Sequence, residues 1–443
     1  MPKDETSATT RSSFAATAAA TYGTNIAVAV LMFGNVLVTA RSLGPTGRGQ
    51  VALLTTIAVL SANLAALGLF EANANIGGRE PEHRGRLATN SAVLAALLGG
   101  IAAAIVALLV AVFPALGGEA RAAVLTLALV AIPVLILQSA LQTLLQSQYG
   151  FAITNIAWLL APGASLVVNC LVAALGLLTV GSAVSVWFGG QILATAFLVW
   201  HAFRPSRNLS RRPDSRLAQR SLAFGARTHL GRVMTMGNYR LDRWFVGAIA
   251  GSRELGLYSV AVAWAEALFY LPTALSMVQR PDLVRASRSE AGAQGARIFR
   301  AALLLTVPLA VGLAVLAPVL CVTVFGDEFR GAVDDLRVLA FGAFGIVALK
   351  LLGNALNAQG RPMLTNVGIG IAFTATVALD LLLIPGHGGL GAAIASTVAY
   401  TAGGVAIVFV FARALGRSPG ELVPRGGEVR PLLRQLRGLL ART

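Results

Sequence analysis

Residues 89–113 read TNSAVLAALLGGIAAAIVALLVAVF, an apolar stretch without one charged side chain. A helix needs about 20 apolar residues to cross the hydrocarbon core of a bilayer, so this stretch predicts a transmembrane helix. Similar stretches follow one another along nearly the whole chain, and no loop between them is long enough for a soluble domain. The sequence therefore predicts an all-α polytopic membrane protein with about 12 transmembrane helices. The predicted spans are residues 14–40, 51–78, 89–113, 122–147, 152–178, 182–203, 222–250, 256–279, 301–325, 333–358, 364–384 and 390–412.

The composition agrees with this class of protein. Of the 443 residues, 56% are hydrophobic and only 12% are charged, and the mean hydropathy is +0.73. A soluble domain carries roughly 25% charged residues. The first apolar stretch is too long for the core of a signal peptide, so we count it as a span. Cys170 and Cys321 both fall in spans, which argues against a disulfide framework and against a metal cluster.

The net charge of +16 is distributed unevenly. If the N-terminus is cytoplasmic, most of the 35 Lys and Arg residues lie in cytoplasmic segments, as the positive-inside rule requires. They concentrate in Arg204, Arg207, Arg211, Arg212, Arg216 and Arg220, in Arg280, Arg285, Arg288, Arg297 and Arg300, and in the tail from Arg413 to Arg442. The opposite side carries Glu119, Asp327, Glu328, Asp334 and Asp335. Topology and contact with anionic lipids explain this charge, so we expect no nucleic-acid partner.

The chain repeats itself weakly at a spacing of about 210 residues. The matching segments are 145–148 with 356–359, Gly44 and Gly49 with Gly251 and Gly256, and 180–183 with 390–393. They lie at equivalent points between spans and predict two six-helix halves around a central cavity. The predicted divisions are a cytoplasmic N-terminal segment 1–13, a first half 14–203, a basic cytoplasmic linker 204–221, a second half 222–412 and a basic cytoplasmic tail 413–443.

Two parallel six-helix halves are typical of transporters that hold substrate between the halves and alternate its access. The sequence contains no Walker loop, no zinc-protease motif and no nucleophile elbow, and its four histidines are dispersed. We therefore expect a transporter without a cofactor, not an enzyme. With no ATP site, an ion gradient, the membrane potential or the substrate gradient would drive it.

The predicted span 222–250 carries an unusual number of charges. At about 100° per residue, four cationic or potentially cationic side chains fall within a wedge of about 80°. They are His229, Arg232, Arg240 and Arg243. Charge at membrane depth usually faces a bundle interior or a watery cavity, and arginine suits phosphate because its planar fork donates two parallel hydrogen bonds. The pattern predicts a basic surface for an anionic substrate. The alternative is that Arg240, Asp242 and Arg243 form an ion-pair cluster at the membrane surface.

Four further charges, Glu71, Glu266, Lys350 and Asp380, fall in other spans. Lys350 is a candidate to support the anion site, and Glu266 a candidate counter-ion or coupling acid. Asp242, Glu71 and Asp380 are further candidates for coupling or counter-charge, although Glu71 and Asp380 lie near the ends of their spans, where interfacial placement is an alternative.

Two segments carry a family resemblance: RSLGPTGRG at Arg41–Gly49 and GSRELGLYS at Gly251–Ser259. With Asp242–Arg243 and the Gln-x-x-x-x-x-Thr-Asn segments ending at Asn155 and Asn366, they resemble the O-antigen and exopolysaccharide repeat-unit flippases of the multidrug/oligosaccharidyl-lipid/polysaccharide exporter (MOP) superfamily. The resemblance implies a cavity between two halves and an undecaprenyl-diphosphate-linked oligosaccharide as the substrate. It also implies partner polymerases or glycosyltransferases.

This chain departs from the lipid II flippases of that superfamily, because it has no charge from Thr17 to Ala40 and ends in a basic tail instead of further spans. Three alternatives remain open. They are a cation-coupled drug exporter of the same fold, a major-facilitator transporter (residues 78–86 partly match that signature), and a membrane scaffold for glycan assembly. The expected function is flipping from the inner to the outer leaflet of the bacterial cytoplasmic membrane by alternating access, with a proton or a sodium ion as the candidate coupling ion.

Overall fold

The computed structural model describes residues 4–119, 121–204 and 212–424. Parts of the predicted N-terminal segment, the basic linker with Arg207 and Arg211, and the basic tail lie outside these described residues. Within them the chain is helical and has no β-strand. The helices are α1 Asp4–Ala65, α2 Leu69–Arg79, α3 Arg84–Val112, α4 Ala122–Gln146, α5 Phe151–Ala174, α6 Val180–Ala202, α7 Ser215–Phe245, α8 Ser252–Ala265, α9 Tyr270–Arg285, α10 Arg288–Pro318, α11 Ala332–Ala358 and α12 Pro362–Leu415.

Nine helical stretches among these described residues are long and apolar enough to cross a membrane. Two of them, Ala20–Ala65 and Pro362–Leu415, each cover two predicted spans, because α1 and α12 continue through non-helical kinks at Gly44 and Gly388. The nine stretches therefore account for eleven predicted spans, and α7 is the twelfth. Its many charges keep α7 below the hydropathy expected of a span. The all-α polytopic fold predicted from the sequence is confirmed.

Backbone conformation repeats along the chain with nearly the spacing seen in the sequence. Four positions with positive φ in the first half of the chain have counterparts about 210 residues later. The pairs are Gly44 with Gly251, Gly118 with Gly326, Tyr149 with Gly360, and Gly176 with Gly388. Each pair ends or bends helices at equivalent places, as an internal duplication would produce.

The described chain divides into two compact units, which differ from the predicted sequence halves. The first comprises residues up to Met236 together with Gly251–Gly256, and the second comprises Gly237–Ala250 and the residues from Leu257 onward. The core of the second unit is formed by α10, α11 and α12 around Leu352 and Phe411, both buried. The division falls inside α7, so its two ends belong to different units.

Within the first unit, the two glycine-containing loops pack directly on each other. A Cβ on Gly49 would collide with the carbonyl of Ser252, and a Cβ on Gly256 would collide with the carbonyl of Pro45. Shifted by the repeat spacing, Gly49 becomes Gly256 and Pro45 becomes Ser252. The repeat therefore converts each contact into the other, as two-fold symmetry does at an isologous interface.

The predicted continuous helix over residues 51–78 differs from the structure. α1 ends at Ala65 and α2 begins at Leu69, because Leu67 (φ 45°) and Gly68 (φ 74°) adopt left-handed conformations that a helix cannot contain. The gap is closed by packing against α7: a Cβ on Gly68 or on Gly225 would overlap the backbone of the other. This break has no positive-φ counterpart in α9, so it is not explained by the repeat.

Candidate functional site

α7 carries the predicted basic stripe, and its two ends have different surroundings. His229 and Arg232 belong to the first unit, whereas Arg240 and Arg243 belong to the second. The sequence predicted one continuous surface from helical geometry alone. The structure instead gives two groups, each with its own acidic partner.

In the first unit, Arg232 reaches across the break between α1 and α2. Its Nη1 donates to Glu71 Oε1 at 3.1 Å on α2, and its Nη2 donates to Asn63 Oδ1 at 3.2 Å on α1. The guanidinium also lies 4.6 Å from the ring centre of Phe70, close enough for a cation–π contact. Arg232 thus connects the two sides of the interrupted span.

His229 contacts the end of α1 from the same face of α7. Its Nε2 donates to the Leu64 carbonyl at 2.9 Å, which is one of the carbonyl groups left without a helical partner where α1 ends. The other ring nitrogen, Nδ1, is buried and has no hydrogen-bond partner among the described residues. His229 therefore has a structural role, because its imidazole caps the end of α1. This role competes with its predicted role in substrate binding.

The start of α7 is fixed by exposed ion pairs to the segment between α2 and α3. Arg220 donates to both carboxylate oxygens of Glu80, at 2.5 and 2.7 Å, and these hydrogen bonds hold the pKa of Glu80 below its ordinary value of 4.5. Arg86 pairs with Asp214 at 2.9 Å. The backbone N–H of Leu217, and then Arg86, hold the pKa of Asp214 below 3.8.

In the second unit, three basic side chains surround one partly exposed acid. Arg243 forms an ion pair with Glu266, which lies on a 3-10 turn between α8 and α9. Lys350 on α11 donates to Thr273 Oγ1 at 2.8 Å and lies 6.0 Å from the ring centre of Tyr239. Arg240 makes neither an ion pair nor a hydrogen bond through its side chain within the described ranges. It interacts electrostatically with Arg243 and Glu266.

The backbone that presents Arg240 is held firmly against α12. Asn238 accepts from Thr376 Oγ1 at 3.0 Å through its side chain and from Tyr400 Oη at 2.7 Å through its carbonyl. Its Nδ2 donates to the Ile369 carbonyl at 3.3 Å. These residues were not among the predicted site residues, and nothing in the sequence distinguishes them from ordinary polar contacts between helices.

Two buried acids lie next to this basic group. Asp242, 3% exposed, accepts from Tyr258 Oη at 2.6 Å and from the backbone N–H of Arg243 at 2.7 Å. Asp380 on α12 is 0% exposed, and neither of its oxygens has a hydrogen-bond partner among the described residues. Asp242 is close enough to interact with it electrostatically. Asp380 is therefore enclosed by its neighbouring helices.

Comparison with known proteins identifies the family. A family model described as polysaccharide biosynthesis protein matches residues 38–334, more than half of the chain. Among curated proteins, an uncharacterised membrane protein of Methanocaldococcus jannaschii is 29% identical over 104 residues. That match covers 24% of this chain and 20% of the relative, so the chain spans about a fifth of the curated relative that it matches.

Solved structures share the fold at low sequence identity. The lipid II flippase MurJ in an inward closed conformation matches with a TM-score of 0.74 and 13% identity, over 87% of this chain and 86% of MurJ. An inward-facing multidrug resistance transporter of the MATE family in the MOP superfamily matches with 0.70 and 15%, over 89% and 95%. A MOP superfamily transporter from Pyrococcus furiosus, with a binding pocket of reversed polarity, matches with 0.59 and 14%, over 90% and 95%.

The resemblance predicted from Arg41–Gly49 and Gly251–Ser259 is confirmed, since the matched region contains both segments. The solved structures that share the fold are those of a flippase and of multidrug resistance transporters. The chain is a multi-pass membrane protein that belongs to the family of polysaccharide biosynthesis proteins.

Proposed function

We propose that this protein flips an undecaprenyl-diphosphate-linked oligosaccharide from the inner to the outer leaflet of the bacterial cytoplasmic membrane by alternating access. The observation that carries the proposal is the uncompensated positive charge of the second unit. Arg240, Arg243 and Lys350 are opposed by Glu266 and Asp242, so the group keeps an excess cation when the buried Asp380 is neutralised by a bound proton or other cation. A diphosphate on a lipid carrier is an anion that this group would neutralise.

Within the group, Arg240 and Lys350 are the side chains available to phosphate. Arg243 already binds Glu266, whereas Lys350 uses one of its three donors on Thr273 and Arg240 uses none among the described residues. A guanidinium offers bidentate hydrogen bonds and an ammonium offers a compact point charge, and both bind phosphate in proteins. Arg232, with its charge matched by Glu71, would bind phosphate only if that carboxylate moved.

We assign the coupling ion to Asp242 and Asp380. An isolated ionised carboxylate at 0% exposure carries a very large desolvation cost, so such a group binds a proton or another cation instead. Asp380 has no protein partner within the described residues to offset that cost. Both acids are too buried for a bulky organic cation to reach, which favours a proton or sodium ion over the cationic drug of the alternative exporter.

The membrane arrangement completes the proposal. We infer that both termini are cytoplasmic, because this orientation places the basic segments at the anionic inner leaflet. The sugars would meet polar side chains, the polyprenyl tail would remain in lipid, and a polymerase or glycosyltransferases would supply and use the glycan.

Flipping of a fluorescent undecaprenyl-diphosphate oligosaccharide in proteoliposomes tests this function. We expect wild-type protein to flip it and the double variant Arg240→Gln/Lys350→Gln to lose at least about 90% of the rate, since each charge-assisted hydrogen bond contributes about 1.5–3 kcal/mol. Arg330→Gln, which alters an exposed pair with Asp327, should leave the rate unchanged. Asp380→Asn should retain flipping down a substrate gradient while abolishing its response to a pH or sodium gradient.

Other outcomes would decide against the proposal. No flipping by the wild type across several glycans and gradients would favour the drug exporter or the scaffold. Flipping that survives in Arg240→Gln/Lys350→Gln would keep the function and refute the phosphate site. A gradient response that survives in Asp380→Asn would remove the coupling role of Asp380.

A further inference from the structure

We propose that Glu71 is a built-in competitor for the substrate: its carboxylate occupies Arg232 while the transporter is empty and gives up the arginine to a substrate phosphate. The inference rests on the proposed function, because it requires an anionic substrate. It assigns Glu71 a role other than binding substrate or coupling an ion. Glu71 would weaken substrate binding and, by doing so, permit turnover.

The contact between Arg232 and Glu71 is built to be exchanged. Only one hydrogen bond joins the two side chains, from Nη1 to Oε1 at 3.1 Å. Glu71 Oε2 and Arg232 Nε have no hydrogen-bond partner among the described residues, so the pair uses only part of its bonding capacity. The Arg220–Glu80 pair of the same unit, with two bonds at 2.5 and 2.7 Å, shows what a fully engaged pair looks like here.

The pair is also within reach of a ligand. The side chains of Arg232 and Glu71 are 33% and 27% exposed, in contrast to Arg243, which is 13% exposed. A phosphate oxygen can approach the guanidinium without opening the core, and a displaced carboxylate can be hydrated where it stands. A phosphate would offer Arg232 the second hydrogen bond that Glu71 does not make.

The position of Glu71 links this exchange to the shape of the chain. Glu71 is in the first turn of α2, and Asn63, the other partner of Arg232, is in the last turn of α1. Arg232 therefore contacts both sides of the break at Leu67 and Gly68. When a phosphate replaces Glu71, α2 loses its side-chain hydrogen bond to Arg232 and keeps the contact of Phe70, while α1 retains its hydrogen bond through Asn63.

The charge balance explains why a transporter would keep such a competitor. An arginine without a counter-ion is costly at membrane depth, and an empty carrier that must return to the inner leaflet would carry that cost. With Glu71 on Arg232 the empty site is neutral. With substrate on Arg232 the phosphate supplies the negative charge. In both the empty and the loaded state, an anion balances the charge of Arg232. Each transport cycle then needs only the exchange of Glu71 for the phosphate and back.

Glu71→Gln is the decisive variant. Without the competing charge, we expect undecaprenyl diphosphate in nanodiscs to bind about two- to fivefold more tightly, the range for a partly exposed ion pair. In proteoliposomes the same variant should flip more slowly at saturating substrate, because the empty protein returns less readily. Glu328→Gln, an exposed acid outside this site, removes the same charge and should change neither quantity.

A double-variant cycle separates competition from a structural role. In an Arg232→Gln background, Glu71→Gln should no longer tighten binding. Glu71→Asp retains the charge on a shorter side chain and should tighten binding less than Glu71→Gln, which keeps the test available if the glutamine variant does not fold. Weaker or unchanged binding by both Glu71 variants would overturn the inference while leaving the proposed function intact. Failure of the wild type to bind undecaprenyl diphosphate would instead overturn the proposed function.

Discussion

The two groups of basic residues on α7 resemble each other in sequence and differ in what surrounds them. Arg232 faces an interrupted span, where Glu71 balances its charge and both side chains remain about one third exposed. Arg243 faces a span that tightens into a 3-10 turn without breaking, and it is more deeply buried against Glu266. Beside it, Arg240 and Lys350 lack any acidic partner of their own among the described residues.

Basic residues on one face of a helix therefore need not form one site. The first group is neutral and adjustable, since a single hydrogen bond holds its ion pair. The second group is positive and rigid, since Asn238 fixes the adjacent backbone to α12. In the described part of the chain, the second group offers free cations to an anion, whereas the first must release Glu71 before it can bind one. Three sets of substitutions test this contrast.

The largest effect should come from a substitution where α7 packs on the break at Leu67 and Gly68, the break that Arg232 spans. In Gly225→Ala, the added Cβ overlaps the backbone at Leu67 and Gly68, and backbone atoms cannot move aside as a flexible side chain can. We expect a loss of about 3 kcal/mol in stability, read as a drop of several degrees in the melting temperature in detergent. Gly100→Ala, with nothing within 4 Å of its added Cβ, should be neutral or slightly stabilising. Equal melting temperatures for the two variants would contradict the close packing of Gly68 on Gly225.

The sequence predicted the helices and the charged span, but not which residues contact the charges of that span. Long apolar stretches and the positive-inside pattern determine where spans begin and which helix carries unusual charge. A helical wheel gives the direction of Arg232 and Arg243 within α7, but it contains no information about which helix packs opposite. Glu266 was predicted as a counter-ion or coupling acid because it lies near the middle of its span. Glu71 was no better a candidate than Asp380, since both were predicted near span ends.

The break between α1 and α2 shows a second limit. Gly68 is the only local signal, because Leu67 is a residue that ordinarily favours helix and adopts its left-handed conformation (φ 45°) through tertiary packing. The burial of Asp380 is likewise a property of α12 and its neighbours, not of the sequence around it. The glycine pairs that mark the repeat were visible in the sequence. Gly68 has no such counterpart, since residues 275–280, at the repeat spacing, contain no glycine.

An intermediate effect should separate the two ion pairs by burial. Arg243→Gln removes the partner of Glu266, which is 39% exposed, and also the cation next to Asp242, which is 3% exposed. We expect a loss of about 2 kcal/mol, because the buried Asp242 then loses the positive charge next to it. Arg232→Gln should cost at most about 1 kcal/mol, as for exposed pairs. Parallel thermal unfolding of the two variants measures the difference. A larger loss for Arg232→Gln would reverse the assignment of the rigid and adjustable groups.

The smallest effect concerns the exposed anchor at the start of α7. The pKa values of Glu80 and Asp214 are lowered in the folded protein, by hydrogen bonds from Arg220 and from the Leu217 N–H respectively. A lowered carboxyl pKa contributes stability above the unfolded value and loses it as the pH falls through the folded value. The melting temperature of the wild type should therefore fall below about pH 4.5, whereas Glu80→Gln/Asp214→Asn should begin lower at pH 7 and show less of this fall. The difference at pH 7 should be on the order of a degree, since both carboxyls are exposed to solvent. Parallel curves from pH 7 to pH 3 would mean that these pairs do not hold α7 in place, and that its attachment depends on Gly225 and Arg232 alone.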